Sequence, residues 1–272
     1  MAHWLETFFS HGDDERCTGS DALEATPDTE TKSSAASEGS TPSEEALLFV
    51  HGPPRAGQTS LLLQFAFSLA ASGRSVVVIL PGVSTASTQE ENQVVPISPC
   101  DKCGHPVKTG NDNMTWSRIS IKYFSSNSEL QRFLCTFHMA SDPPSALLID
   151  SFERFFPDPS MRSSIGNVYQ TLAFAFETVA YMTKASGVGI GVITGTTESF
   201  FLRDRRALQR WCRFVEITRD SEESVMFRMQ EEEFDDPSGL PSLTTGDPHV
   251  RYEFSPARGG SPGIFQFVDV HR

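Results

Sequence analysis

From Ala46 onward the chain alternates apolar runs of strand length with stretches of helical length. The pattern predicts strands over Ala46–Val50, Ser75–Leu80, Ser117–Tyr123, Ala146–Asp150 and Val188–Thr194. Between them it predicts helices over Thr59–Ser72, Glu129–Ala140 and Asn167–Ser186. Strands that are apolar on every residue and alternate with helices belong to a parallel sheet covered on both faces. After Arg213 the rhythm changes to strand after strand: Arg213–Thr218, Ser224–Gln230, Val250–Phe254 and Gly263–Val270. These read as antiparallel strands closing one edge. The expected fold class is therefore α/β, mainly parallel, with antiparallel C-terminal strands.

Two regions break the rhythm. Residues 1–45 are Ser, Thr, Glu, Asp, Ala, Gly and Pro over most of their length, with Leu23 the one large apolar residue between 18 and 45. Such a stretch cannot bury enough surface to offset its ordering entropy, so it reads as a disordered acidic tail. The cluster Trp4, Leu5, Phe8 and Phe9 at its start reads as a short helix, either a docking stub or a frayed end. Residues 81–116 form a polar, Pro/Gly-rich insertion, unusually long for a compact domain. The domain itself is expected to span 46–272.

Charge sharpens this division. The 272 residues carry a formal net charge of −13. Residues 1–45 hold 11 acidic and 2 basic side chains, and 219–236 hold 8 acidic and 2 basic. Those two segments account for −9 and −6, leaving +2 for the rest. The acidic total excludes a chain that is basic throughout and coats nucleic acid or anionic lipid, but not a local basic site. The 5 Cys are too few and too scattered for a disulfide framework. The start of the chain lacks the basic region of a secretory leader and is too acidic for a mitochondrial one. With no apolar run long enough to span a bilayer, the expectation is an intracellular protein in a reducing compartment.

Between the first strand and first helix lies Gly52-Pro53-Pro54-Arg55-Ala56-Gly57-Gln58-Thr59-Ser60. A glycine-rich turn between a strand and a helix N-terminus holds phosphate with backbone amides. Gly52 and Gly57 have the separation of a phosphate loop, and Thr59 stands where a hydroxyl ligates magnesium. Gln58 occupies the lysine position, so the charge that offsets β- and γ-phosphate is missing. Arg55 is the nearby substitute cation. Ser60 completes the loop. Asp150, ending the apolar run Leu147-Leu148-Ile149, fits the magnesium-water ligand, on a strand expected beside the loop strand. Glu153 is the nearest candidate base, or else an exposed helix-cap residue. The bland alternative for the loop is a tight strand-to-helix turn.

These residues resemble a known family. The loop and helix GPPRAGQTSLLLQFAFSLAASG, the strand SVVVIL, the segment ISIKYFSSNSELQRFLCTFH and the run ALLIDSFERF are similar to RecA-type recombinase paralogues. Within these, the likeness is to the ATPase-like subunits that partner SWIM-domain zinc-finger proteins in Shu complexes. It covers about residues 46–270. It implies a RecA-like P-loop domain and binding of ATP with magnesium. It also implies nuclear work in homologous recombination and DNA repair, supporting a strand-exchange recombinase on single-stranded DNA. Members usually retain the loop lysine, so Gln58 implies weak or absent hydrolysis. Some members carry a Phe-x-x-Ala recombinase-docking motif beside the loop. The aligned positions here are Leu63 and Ala66, while Phe67-Ser68-Leu69-Ala70, one turn later, reads as core.

Two further constellations carry candidate chemistry. Cys100-x-x-Cys103 is half of a zinc knuckle by spacing, and Cys135 with His138, one helical turn apart, could complete it. The alternative places Cys135 in the core beside Leu134. Arg203, Arg205, Arg206, Arg210 and Arg213 form the main basic cluster, near Phe200, Phe201 and Trp211. It offers phosphate contacts and stacking surfaces for single-stranded DNA, or else a solvated helix face with Phe201 and Trp211 in the core. The acidic run Glu231–Asp236 reads as a solvated hairpin, a surface for a basic partner, or a shield against nonspecific DNA.

Overall fold

The computed structural model describes residue 8 and residues 47–82, 94–98, 112–140, 142–157, 162–221, 223–232, 249–257 and 263–271. Among these residues nine strands form one sheet in the order β3-β2-β4-β5-β1-β6-β7-β8-β9. The strands are β1 Leu47–Gly52, β2 Val76–Pro81, β3 Ile119–Phe124, β4 Ala146–Ile149, β5 Ile190–Thr196, β6 Cys212–Arg219, β7 Met226–Glu231, β8 His249–Ser255 and β9 Ile264–His271. The helices are α1 Gln58–Ala71, α2 Asn113–Trp116, α3 Asn127–Thr136, α4 Arg162–Ser186 and α5 Arg205–Leu208. This is the expected α/β phosphate-loop architecture, mainly parallel with antiparallel C-terminal strands.

Two details differ from expectation. The 213–218 strand, β6, pairs parallel with β1, and the antiparallel section starts at its other edge with β7. The reason is the crossover after β5, which passes over β1 through the helical turns Phe200–Asp204 and α5. Also, β4 and β1 are not adjacent, because β5 lies between them and pairs with both. That central strand supplies part of the site.

Period-two alternation divides the sheet's two faces. Leu48, Val50, Val76, Val78, Leu148 and Val192 point to the face covered by α1. Leu47, Phe49, Val77, Ile79, Leu147 and Ile149 point to the face covered by α3 and α4. β1, with all six residues buried, is apolar on both faces up to His51, as a central parallel strand must be. On the second face Phe49 is the hub of an aromatic cluster. Its ring centroid lies 6.0 Å from Phe152, 5.9 Å from Phe201 and 5.8 Å from Phe214.

The polar 81–116 stretch contributes to the first core. Val95 and Ile97 are buried there, and Ser98 N–H donates to the Phe265 carbonyl of β9. The Val95 N–H donates to the Ser60 hydroxyl on α1 at 3.0 Å. Residues 83–93 and 99–111 of that insertion, 1–7 and 9–45 of the acidic segment, and Ala46 lie outside the described residues. Phe8 is described: it is 1% exposed and stacks on Phe65 of α1, centroids 4.5 Å apart. Among the described residues no helix is long and apolar enough to cross a membrane.

Candidate functional site

The loop leaves β1 at Gly52 and turns into α1 at Gln58. Gly57 caps that helix with φ +80, and a Cβ there would lie 2.5 Å from the Phe254 ring. Both the backbone conformation and the space require glycine. At Gly52 a Cβ would meet the Ile217 Cβ at 2.7 Å. The loop is thus seated directly on β6 and β8. Tyr252 of β8 reinforces the seat, its hydroxyl donating to the buried Ala56 carbonyl at 2.7 Å. Tyr252→Phe would leave that carbonyl without its partner. The expected loss is about 1–3 kcal/mol of stability, read by urea denaturation.

Thr59, in the first turn of α1, donates its hydroxyl to both oxygens of Asp150, at 3.1 and 2.9 Å. Asp150 also accepts from Thr194 of β5 at 2.7 Å and from the Ser151 hydroxyl at 3.1 Å. Loop hydroxyl and strand-end carboxylate therefore meet, although their strands are not neighbours. Gln58 folds back, its side-chain amide donating to the Pro53 carbonyl at 3.3 Å. The cleft holds about 350 Å³ and is walled by Arg55, Gly57, Thr59, Glu153, Arg154 and Phe254, among others. Arg55 and Ser151 are the two described non-glycine residues with positive φ, at 65 and 48, and both line this cleft. Such strain concentrates where a ligand site fixes the backbone.

Glu153 is half-buried rather than an exposed cap. Its carboxylate accepts from the Thr196 N–H at 3.3 Å. Burial pushes the carboxyls of Asp150 and Glu153 above their ordinary range, and the Asp150 charge adds to the rise at Glu153. Hydrogen bonds from Thr194, Thr59 and Ser151 oppose the rise at Asp150. The sign for stability follows. At a pH below the ordinary carboxylate range both groups are protonated, folded or unfolded, and make no difference. As pH rises through the raised folded values, the unfolded chain releases its protons first and the fold loses stability. Asp150→Asn is therefore expected to raise the melting temperature of the nucleotide-free chain at neutral pH. The advantage should shrink on acidification, as calorimetry at several pH values would show.

The site contains residues the sequence did not mark. Thr194 lies at the end of β5 against Asp150. Arg154 brings a guanidinium to the cleft wall, next to the carboxyls. Position within the chain singled out neither one. Of the marked loop residues, Arg55, Gly57, Gln58, Thr59 and Ser60 line the cleft, Gly52 lies at the base of the loop against Ile217, and the Ser60 hydroxyl accepts from the Val95 N–H.

The arginine cluster is largely engaged within the chain. Arg205 pairs with Glu232 and Arg213 with Glu231, the first members of the acidic run. Arg210 lies over Trp211, 4.9 Å from the ring centroid, and Trp211 packs on Tyr169 of α4. Phe201 is fully buried and offers no stacking face, whereas Arg203 and Arg206 are exposed. The described start of the acidic run thus faces the chain's own arginines. Residues 233–248 lie outside the described residues.

Cys135 is exposed rather than core. With His138 it lines a separate surface pocket against α4, where the Tyr181 hydroxyl donates to the His138 carbonyl at 3.3 Å. Cys100 and Cys103 lie outside the described residues. Phe67 and Ala70 are buried, at 4% and 0% exposure.

The chain is 29% identical over 142 residues to mouse (Mus musculus) ATPase SWSAP1, covering 52% of this chain and 44% of that protein. It is 29% identical over 146 residues to human (Homo sapiens) ATPase SWSAP1, covering 52% of this chain and 55% of that protein. Over about half its length the chain is similar to ATPase SWSAP1. It spans about half the length of the curated relatives it matches. No protein-family model matches it. Among solved structures, a DnaB-like replicative helicase aligns with TM-score 0.48 and 12% identity, over 83% of this chain and 59% of that one. The flagellar accessory protein FlaH of Methanocaldococcus jannaschii aligns with TM-score 0.46 and 9% identity, over 83% of this chain and 91% of its own.

Proposed function

We propose that this chain is a degenerate phosphate-loop, ATPase-like accessory protein of recombinational DNA repair. It binds a nucleotide weakly and serves chiefly as a scaffold. Its partners are a SWIM-domain zinc-finger protein and a strand-exchange recombinase on single-stranded DNA, in the nucleus. The observation that carries the nucleotide reading is the direct meeting of Thr59 and Asp150 across β5, at the mouth of a glycine-seated loop. The likeness to ATPase SWSAP1 supports the recombination reading.

The donor set fits magnesium. Asp150 is buried, carries a charge its surroundings disfavour, and is bonded to the hydroxyls of Thr59, Thr194 and Ser151. A hard divalent cation takes such oxygen ligands and relieves that charge. Thr59 and Asp150 would hold it, and bound magnesium would offset phosphate charge. The loop amides and the α1 N-terminus would receive the phosphates. Gln58 contributes hydrogen bonds without charge, so binding is expected to be weak and transition-state stabilisation poor.

A second reading, an active DNA-stimulated ATPase or phosphotransferase, is favoured by one feature. Arg55 and Arg154 at the cleft wall could replace the missing lysine charge, with Glu153 positioned as base. ATP binding and turnover of the purified chain with single-stranded DNA separate the two. The scaffold reading expects magnesium-dependent binding, lost in Thr59→Ala and Asp150→Ala, with turnover at background. Turnover that falls in Arg154→Ala, Thr59→Ala and Asp150→Ala would establish the enzyme. Co-purification from cells tests the partners.

A further inference from the structure

On the far side of β1 from the phosphate loop, three strands bring together a second polar cluster in the otherwise apolar core. His51 sits at the end of β1, just before Gly52. Glu216 lies beside it on β6, paired with it in parallel register, and Glu232 follows β7. One ligand atom from each residue lies within 4.8 Å of the other two. His51 and the Glu232 side chain are fully buried, and Glu216 is half-buried. The His51 Nε2 lies 2.8 Å from the Glu232 Oε1, and its Nδ1 lies 3.2 Å from the Thr197 hydroxyl oxygen. Arg205 reaches the same Glu232 oxygen from α5. The second Glu232 oxygen, Oε2, is buried and has no hydrogen-bond partner among the described residues.

We propose that His51, Glu216 and Glu232 form a binding site for a divalent transition-metal ion of the zinc class, with Arg205 as the counter-cation that the metal displaces. The chemistry of the donors points to this ion. One imidazole and two carboxylates make a ligand set of intermediate softness that suits zinc, whereas magnesium and calcium prefer oxygen ligands alone. The buried Glu232 Oε2 supplies lone pairs that no described residue satisfies, and such an atom is costly to leave bare. Arg205 offsets only one of the two carboxylate charges, whereas a dication that displaces it cancels both. Metal–ligand bonds of about 2.0–2.2 Å set tetrahedral ligand atoms roughly 3.4 Å apart, so a pair near the 4.8 Å limit must close by about 1 Å, while His51 Nε2 and Glu232 Oε1, now 2.8 Å apart, open by about half an ångström to admit the ion. Thr197, against the other ring nitrogen of His51, would orient the imidazole as outer partners of metal-bound histidines do. Arg205 is already 18% exposed and has a direct path to solvent.

Such an ion would tie β1, β6 and the end of β7 together directly behind the phosphate loop. It would also free Arg205 from its internal partner. The site shares no ligand with Cys100, Cys103, Cys135 and His138, and it stands independently of any nucleotide.

The test uses the full-length chain, stripped with chelator and titrated with zinc alone. Affinity and stoichiometry are read by calorimetry, the melting temperature by thermal denaturation, and folding by far-ultraviolet circular dichroism. One zinc per chain that raises the melting temperature is expected. Glu216→Gln, a conservative change at a half-buried position, should weaken zinc by at least about tenfold. Arg205→Ala, which removes the competing cation, should tighten it by roughly tenfold. The double variant Cys100→Ser, Cys103→Ser should bind zinc as the parent does, and cobalt substitution should show no thiolate charge-transfer band. The proposal is overturned if no zinc binds, if Glu216→Gln binds it undiminished, if Arg205→Ala leaves affinity unchanged or weaker, or if the cysteine variant loses it.

Discussion

Phe49→Ala is expected to destabilise the chain by about 3–5 kcal/mol, among the costliest of single substitutions. Its ring is fully buried, and its aromatic neighbours come from three different parts of the site's framework. Phe152 belongs to the turn after β4, Phe201 to the crossover after β5, and Phe214 to β6. The same ring also lies against Gly195, where an added Cβ would approach it to 3.1 Å. Truncation would remove the hub and leave a void that rigid strands on either side cannot close. Each edge-to-face pair adds about 0.5–1.5 kcal/mol beyond burial, so the upper half of the range is favoured. Urea denaturation should show a lower midpoint with an unchanged slope, and a loss below about 1.5 kcal/mol would contradict the hub role. Phe49 stands three residues before Gly52, so nucleotide affinity should fall with it.

The strands that contain Phe49 and its parallel neighbours were legible because a strand buried on both faces has no polar interruptions. β2 and β4 fall within a residue of their expected limits, and β1 runs two residues further than expected, to Gly52. β5 runs two residues further than expected, to Thr196. Gly195 is a weak strand former, yet it and Thr196 pair in register with His51 and Gly52. That is tertiary pairing overriding local preference. α3 ends at Thr136, and the next residues tighten into a 3-10 turn, a distinction that apolar spacing does not carry.

The site was legible where its chemistry is local. Glycines, hydroxyl and aspartate announce themselves by spacing along the chain. The contributions of Tyr252, Thr194 and Arg154 depend on which strands become neighbours, and Tyr252 in an alternating strand reads simply as core. Val95 and Ile97 were hidden for a related reason: isolated apolar residues in a polar stretch have no period. The arginine cluster was visible, but its pairing with Glu231 and Glu232 was not. β6 and β7 bring those acids beside it only through an antiparallel pairing that joins Val215 to Glu231. Charge counted by segment located both partners without revealing that they meet.

That leaves the one residue whose departure from pattern decides what the loop can do. Gln58→Lys is expected to tighten magnesium–ATP binding by roughly 10–100-fold, since a charge-assisted hydrogen bond contributes about 1.5–3 kcal/mol. Gln58 begins α1, and its amide already reaches back across the loop to the Pro53 carbonyl. A lysine at that position starts from the same backbone and extends further, so its ammonium can turn from that carbonyl to a phosphate. Nothing else in the loop need move. Gly57 and Gly52 are fixed against Phe254 and Ile217, and Thr59 already faces Asp150. Calorimetric titration of parent and variant with ATP and magnesium measures the gain directly. If Arg55 or Arg154 already supplied the missing charge, the lysine would add little and the affinities would agree within about threefold. A large gain therefore places the deficit at Gln58 itself, and turnover in the same variant shows whether that charge was all the site lacked.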